Sequence, residues 1–252
     1  MKAMVLNYLS NLKETRVPLT LAELPTPVPG PRNLLIKVSV CGVCHTELDE
    51  IEGRTPPPHL PVVPGHQVVG QVVEAGREAK RFRLGDRVGV AWIYSACGTC
   101  KFCLSGEENL CPDFKATGRD VNGGYAEYMT APEAFAYKIP AAFSDAEAAP
   151  LLCAGATGYR SRRLTGLTDG QSRGLTGFGA SAQLVLKRAR HRYPHSDVFV
   201  FARDEAERTF ARELGAVWAG PLDEAAPQKL HCIIDTTPVW EPIVAALKNL
   251  EH

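Results

Sequence analysis

The sequence predicts an α/β chain in which a β-rich region precedes a doubly wound parallel sheet. Three observations point to it. Up to about residue 150 the apolar-alternating runs are short and bounded by Pro and Gly. Beyond Pro150, strand-like runs alternate with amphipathic segments of helical length, the pattern of βαβ units. Within this chain "GLTGFGASAQ" places a glycine-rich turn directly before a helix.

The elements follow in order. Pro25, Pro27, Pro29 and Pro31 precede a strand in "LLIKVSV" (34–40). A second strand runs through "QVVGQVVEA" (67–75), after a loop broken by Pro56, Pro57, Pro58, Pro61 and Pro64. "RLGDRVGVAW" adds another after a Gly-Asp turn. Helix is expected to be almost absent up to about residue 150. In the second part "ASAQLVLKRARHRY" is a helix, "DVFVFA" a strand, "DEAERTFARELG" a helix closed by Gly215, and "AVWAG" a short strand. "LHCIIDTT" is a strand and "VWEPIVAALKNL" a helix interrupted early by Pro242. "QSRGLT" makes a weak first strand, since Leu175 is its sole apolar residue.

Composition narrows the function. The 252 residues are 45% hydrophobic and 22% charged, enough to bury a core. Lys+Arg and Asp+Glu both number 28, so the chain as a whole lacks the basic excess of nucleic-acid or anionic-membrane binders. No run reaches the ~18 apolar residues of a membrane helix, and "MKAMVLNYLSNLKETRV" has no secretory h-region. A soluble, cytoplasmic protein is expected. In that reducing compartment eight cysteines favour metal over disulfides.

Four of them crowd into "CGTCKFCLSGEENLC": Cys97, Cys100, Cys103 and Cys111. Four thiolates close a tetrahedral shell around zinc and leave no position for substrate, which makes the site structural. An iron–sulfur cluster is the rival, because thiolates also hold those. The lobe resembles that of the zinc-dependent alcohol dehydrogenases of the medium-chain dehydrogenase/reductase superfamily. "CGVCHTEL", "PGHQVVGQV" and "LLCAGATGY" agree with it in the same order.

The resemblance implies a GroES-like β-rich catalytic domain over residues 1–150 and a Rossmann-type NAD(P)-binding domain over 151–252. It implies Cys44, His66 and Cys153 as ligands of a catalytic zinc, two zinc ions per chain in all. Three protein ligands leave the fourth position open for substrate. Thr46 matches the residue that takes the alcohol proton, and Glu47 the carboxylate that orients the zinc histidine. Two positions depart from the family. Gln67 stands where a glutamate usually follows the ligand histidine, so its approach to the metal differs from a carboxylate's. Asp49 stands where many members place a histidine at the outer end of the proton relay. Trp92 falls where the family narrows its substrate pocket.

Gly177-x-Gly179-x-x-Ala182 is the G-x-G-x-x-A form of the dinucleotide fingerprint, with Ala180 and Ser181 opening the helix beneath the pyrophosphate. His45 is a further cofactor-binding candidate. After the second strand the family's acidic position falls on Ala202 and is followed by Arg203, which favours NADP over NAD. Asp204 is either an N-cap or a displaced ribose ligand. The nucleotide region shows four strands where such domains usually have six, so it is expected to be incomplete. A homo-oligomer fits the family, although its usual dimer edge falls beyond "ALKNLEH". The function implied is reversible hydride transfer between an alcohol and NAD(P), which converts the alcohol to its aldehyde or ketone. A zinc-binding but catalytically silent chain is the alternative. A zinc-free quinone-type reductase is disfavoured by both ligand sets.

Overall fold

The computed structural model describes residues 1–251, which form two compact units, 1–153 and from 154 onward. The first begins with an antiparallel pair, β1 (Lys2–Val5) and β2 (Thr20–Glu23). Strand β3 (Asn33–Cys41), helix α1 (His45–Ile51), β4 (Val68–Ala75) and β5 (Arg87–Val90) follow. Then come β6 (Ile93–Ser95), α2 (Lys101–Leu104), β7 (Lys115–Ala116), β8 (Tyr128–Pro132), β9 (Ala136–Lys138) and α3 (Asp145–Ala148).

Five of these strands make one sheet in the order β8-β3-β4-β5-β9, antiparallel throughout. The period-2 pattern explains its layers. Ile36, Val68, Val72, Val88, Val90 and Met129 fill one cluster, while Val69 meets Ala148 and Ala149 in another. Short β6 and β7 pair with each other and bracket the segment carrying the four crowded cysteines.

The second unit contains α4 (Ala154–Leu164), β10 (Arg173–Thr176), α5 (Ala180–Arg192), β11 (Val198–Phe201), α6 (Glu205–Glu213), β12 (Trp218–Gly220), β13 (Cys232–Asp235) and α7 (Glu241–Leu247). Its sheet is parallel in the order β12-β11-β10-β13. The order reverses between β10 and β13, the switch point at which doubly wound sheets bind ligands. The α/β class expected from the pattern is the one observed.

Four local features differ from the expectation. The β-rich region holds three short helices, and α1 lies at the centre of its chemistry. Cys44 caps α1 in place of the usual Ser or Thr: its thiol accepts from the Thr46 N–H at 3.4 Å, and Glu47 returns a bond to the Cys44 N–H at 2.8 Å. Helix α4 was also missed, because Gly155, Thr157 and Gly158 are poor helix formers. Gly158 instead permits close packing, since a Cβ there would stand 2.7 Å from Val185 of α5. The weak strand "QSRGLT" yields β10, central in its sheet and buried along its length. Finally, Pro242 starts α7 rather than interrupting it, at a position where the missing N–H costs nothing.

Candidate metal and dinucleotide sites

The donor atoms of Cys44, His66 and Cys153 all lie within 4.8 Å of one another. Cys44 arrives at the start of α1, His66 in the turn before β4, and Cys153 at the end of a one-turn 3-10 helix. Gly65 fixes the turn. Its φ is +100°, and a Cβ there would meet the Tyr125 ring at 2.6 Å and Cys41 Sγ at 2.9 Å. His66 is fully buried; its Nε2 faces Cys44 Sγ at 3.5 Å and its Nδ1 faces Glu47 Oε1 at 2.7 Å.

Electrostatics couple these groups. The hydrogen bond from Cys153 holds the Cys44 thiol down at about 3, while the same contact and burial push Cys153 well above the ordinary thiol range. Burial alone would lower His66, but its contacts with Cys44 and Glu47 outweigh that and push it up to about 10. Without metal the set is therefore a thiolate, a thiol and an imidazolium. A divalent cation replaces those protons with one concentrated positive charge. The spacing fits zinc: ~2.3 Å to sulfur and ~2.0–2.1 Å to nitrogen give a tetrahedral S–N edge of about 3.6 Å, against the observed 3.5 Å.

Around this set the other expected residues are distributed as follows. Gln67 is buried, and its Nε2 has no hydrogen-bond partner. Asp49 is bonded by Arg54 at 2.5 Å and lies 3.7 Å from the half-exposed His45 imidazole. The Trp92 and Phe114 rings lie 4.7 Å apart, tilted by 42°. Two residues were not foreseen. Arg54 clasps Asp49 and also bonds Glu52. Glu50 is buried with both carboxylate oxygens unpartnered, and burial pushes it up to about 8. The C-x-x-E capping pattern would have revealed α1, and with it the i, i+3 face that Glu50 shares with Glu47.

In the cysteine-rich segment all four Sγ atoms again lie within 4.8 Å of one another. Cys97 and Cys103 Sγ are 3.9 Å apart, and Cys100 and Cys103 Sγ 3.6 Å. A tetrahedron with ~2.3 Å bonds has edges of about 3.8 Å. Backbone N–H groups of Cys100 and Cys97 donate to Cys97 and Cys111 Sγ at 3.3 and 3.4 Å, pre-stabilising thiolates.

In the second unit Gly177, with φ +75°, turns the chain out of β10 beside Thr236 and Thr237. Gly179 caps α5 with no side-chain hydrogen bond, and nothing lies within 4 Å of where its Cβ would stand. Open space thus faces a 13-residue helix start with free N–H groups, as a pyrophosphate requires. Ala180 is exposed and Ser181 half-buried, while Ala182 is buried against the sheet. Ala202 is buried and Arg203 exposed. Arg208 Nη1 donates to the carbonyls of both, at 2.7 and 2.6 Å, fixing the loop backbone. Asp204 occupies the N-cap position of α6, but its side chain makes no capping bond.

An antiparallel sheet carrying two donor sets, followed by a parallel unit with an open glycine turn, defines a medium-chain dehydrogenase/reductase. Comparisons agree. The model of the alcohol dehydrogenase GroES-like domain matches residues 30–141. The "Probable alcohol dehydrogenase AdhA" of Mycobacterium tuberculosis (strain CDC 1551 / Oshkosh) is 42% identical, over 93% of this chain and 69% of that protein. The structure of CAD from Helicobacter pylori complexed with NADP(H) superposes with a TM-score of 0.89 at 26% identity, covering 99% of this chain and 72% of that one. A cobalt- and zinc-bound thermostable alcohol dehydrogenase from Pyrobaculum aerophilum gives 0.86 at 26% identity, over 100% and 73%. The chain spans 53–69% of the length of the first curated relatives it matches. It belongs to the zinc-dependent alcohol dehydrogenase family. Among the described residues no helix is long and apolar enough to cross a membrane.

Proposed function

We propose that the protein is an NADP(H)-preferring, zinc-dependent alcohol dehydrogenase interconverting a small alcohol with its aldehyde or ketone. The observation that carries this reading is the convergence of Cys44, His66 and Cys153 in a set of three donors, which leaves one tetrahedral position for substrate. Residues 1–150 serve as catalytic domain and 151–252 as nucleotide domain. Zinc held by Cys44, His66 and Cys153 would supply Lewis-acid chemistry at the substrate hydroxyl, and a nicotinamide cofactor at the glycine turn would supply the hydride acceptor.

The chain's own residues do the rest. Cys44 and Cys153 offset the metal charge, and Glu47 fixes the His66 ring through Nδ1, leaving Nε2 to bind. Thr46 takes the substrate proton, and Asp49, held by Arg54, is the outer end of the relay. Gln67 remains close as a neutral neighbour of His66, and Trp92 bounds the substrate pocket. Cys97, Cys100, Cys103 and Cys111 hold a second, structural zinc. Gly177, Gly179, Ala180, Ser181, Ala182 and His45 contact the cofactor, and Arg203 receives the 2′-phosphate. Eight cysteines, none in a disulfide, suit a cytoplasmic enzyme, and a homo-oligomer accords with the family.

Elemental analysis and a turnover assay test the reading together. Two zinc ions per chain with alcohol-dependent NADP reduction support it. Zinc without turnover favours the catalytically silent alternative, and one zinc or none removes the two-site assignment. Arg203→Ala should weaken NADP(H) binding by one to two powers of ten, the worth of a charge-assisted contact of about 1.5–3 kcal/mol. NAD(H) binding should hold steady, and equal losses for both cofactors would refute the phosphate role.

A further inference from the structure

Arg173 is the most anomalous residue of the second unit. It lies in the middle of the parallel sheet, opposite Val198 and Cys232, with 0% of its surface exposed. All three guanidinium nitrogens are buried without a hydrogen-bond partner. The guanidinium rests over the Tyr193 ring, 4.7 Å from its centroid. Arg162 of α4 approaches the same ring at 5.4 Å and donates to the Tyr193 hydroxyl, and its Nε is likewise buried and unpartnered. Two cations thus lie against one tyrosine ring, Arg173 fully buried and Arg162 and Tyr193 half-buried.

A buried, unpaired guanidinium is among the costliest groups a fold can hold, and arginine does not escape by losing its proton. Cation–π contact returns only a small part of that cost. No acid bonds the Arg173 guanidinium. Residues 154–197 contain eight Lys/Arg and two acids, Asp169 and the exposed Asp197, and Asp169 acts on Arg173 only through space. That carboxylate is engaged with the His195 imidazole at 2.7 Å and with the His195 N–H at 3.0 Å. Cys232 lies nearby, but burial raises its thiol and keeps it neutral. The Tyr193 oxygen already accepts from Arg162, which leaves its own proton free to donate.

We propose that Arg173, Arg162 and the Tyr193 hydroxyl form a buried site for one small monovalent anion, of the halide class. The unpartnered nitrogens of Arg173 and Arg162 Nε, beside the Tyr193 O–H, are the donors it would use, and the anion neutralises a charge that the fold otherwise leaves uncompensated. The site lies within the nucleotide-type unit but uses none of the residues assigned to cofactor or zinc. A single halide bound only by the folded state stabilises it by mass action.

The test replaces gluconate with chloride at constant ionic strength and follows thermal unfolding of the whole chain. The midpoint should rise along a saturating curve, by roughly 5–11 °C at about a hundredfold excess over the dissociation constant. Arg173→Leu should abolish the chloride dependence and raise the midpoint in gluconate. Crystals soaked in bromide should show an anomalous peak between the two guanidinium groups, a measurement that stands even if the variant does not fold. Equal midpoints in the two anions, an undiminished chloride effect in Arg173→Leu, or no bromide peak would each overturn the proposal.

Discussion

The two thiol-bearing clusters of the first unit are built on opposite plans. The four-cysteine cluster comes from one continuous segment, and its ends are tied by the β6–β7 pair. Its sulfurs are stabilised by nearby backbone N–H groups. The three-donor cluster draws on α1, the turn before β4 and a 3-10 helix more than a hundred residues from Cys44. It is enclosed by buried polar groups, Glu47, Glu50 and Gln67 among them. A local cluster with four donors satisfies a metal and stabilises its own loop. A dispersed one with three donors needs the whole sheet to assemble it and keeps one position free. The first is suited to folding and the second to chemistry.

The two clusters differ most in consequence at Cys44. Cys44→Ser should lower turnover roughly a thousandfold, the loss of several kcal/mol of transition-state stabilisation, and should halve the zinc content. Its thermal midpoint should change little, because the serine hydroxyl still caps α1. Calorimetry and metal analysis on one preparation read both effects. Cys103→Ser should do the reverse for stability, dropping the midpoint by roughly 10 °C as the structural zinc is lost. If the two variants behave alike, the division of labour between the clusters is wrong.

Glu47→Gln sharpens the contrast at a smaller scale. The amide cannot hold His66 Nδ1 as an anion does, so zinc affinity at the three-donor cluster should fall 10–100-fold. Chelator competition should show this loss while the four-cysteine zinc stays in place. Equal release from both sites would count against the orienting role.

The smallest effect concerns pH and Glu50. Its folded carboxyl is pushed from 4.5 up to about 8 by burial, so the folded state holds the proton more tightly than the unfolded chain does. Stability should therefore be lost as pH rises between those values, by at most about 1.4 kcal/mol per unit, and level off above them. Urea titrations of Cys44→Ser, which retains the structural zinc, should show that slope, and adding Glu50→Gln should flatten it. An unchanged slope would mean that another group carries the pH dependence.

Much of this was legible from local pattern. Alternation placed β3, β4 and β5 to within a residue or two of the sequence reading at most of their ends, because a sheet with a buried face imposes a period of two. The crowded C-x2-C-x2-C spacing marked the four-cysteine cluster, since all its donors lie in one segment. The G-x-G-x-x-A turn declared itself because a tight turn and close backbone approach demand glycine.

The features that local pattern does not reveal involve partners distant in sequence. Helix α1 was hidden because a cysteine, not a serine, closes its capping box, and the burial of Glu50 went unread with it. Asp49 could not be seen to be tied to Arg54, a contact that depends on the chain turning back after α1. Arg173 gave no sign of being buried, since its polarity argues for the surface. It lies inside because β11 and β13 flank its strand and Tyr193 lies against its guanidinium. Periodicity and turn chemistry act over a few residues, whereas burial and electrostatic pairing are set by every element that packs around a side chain, and those neighbours exist only once the sheet has formed.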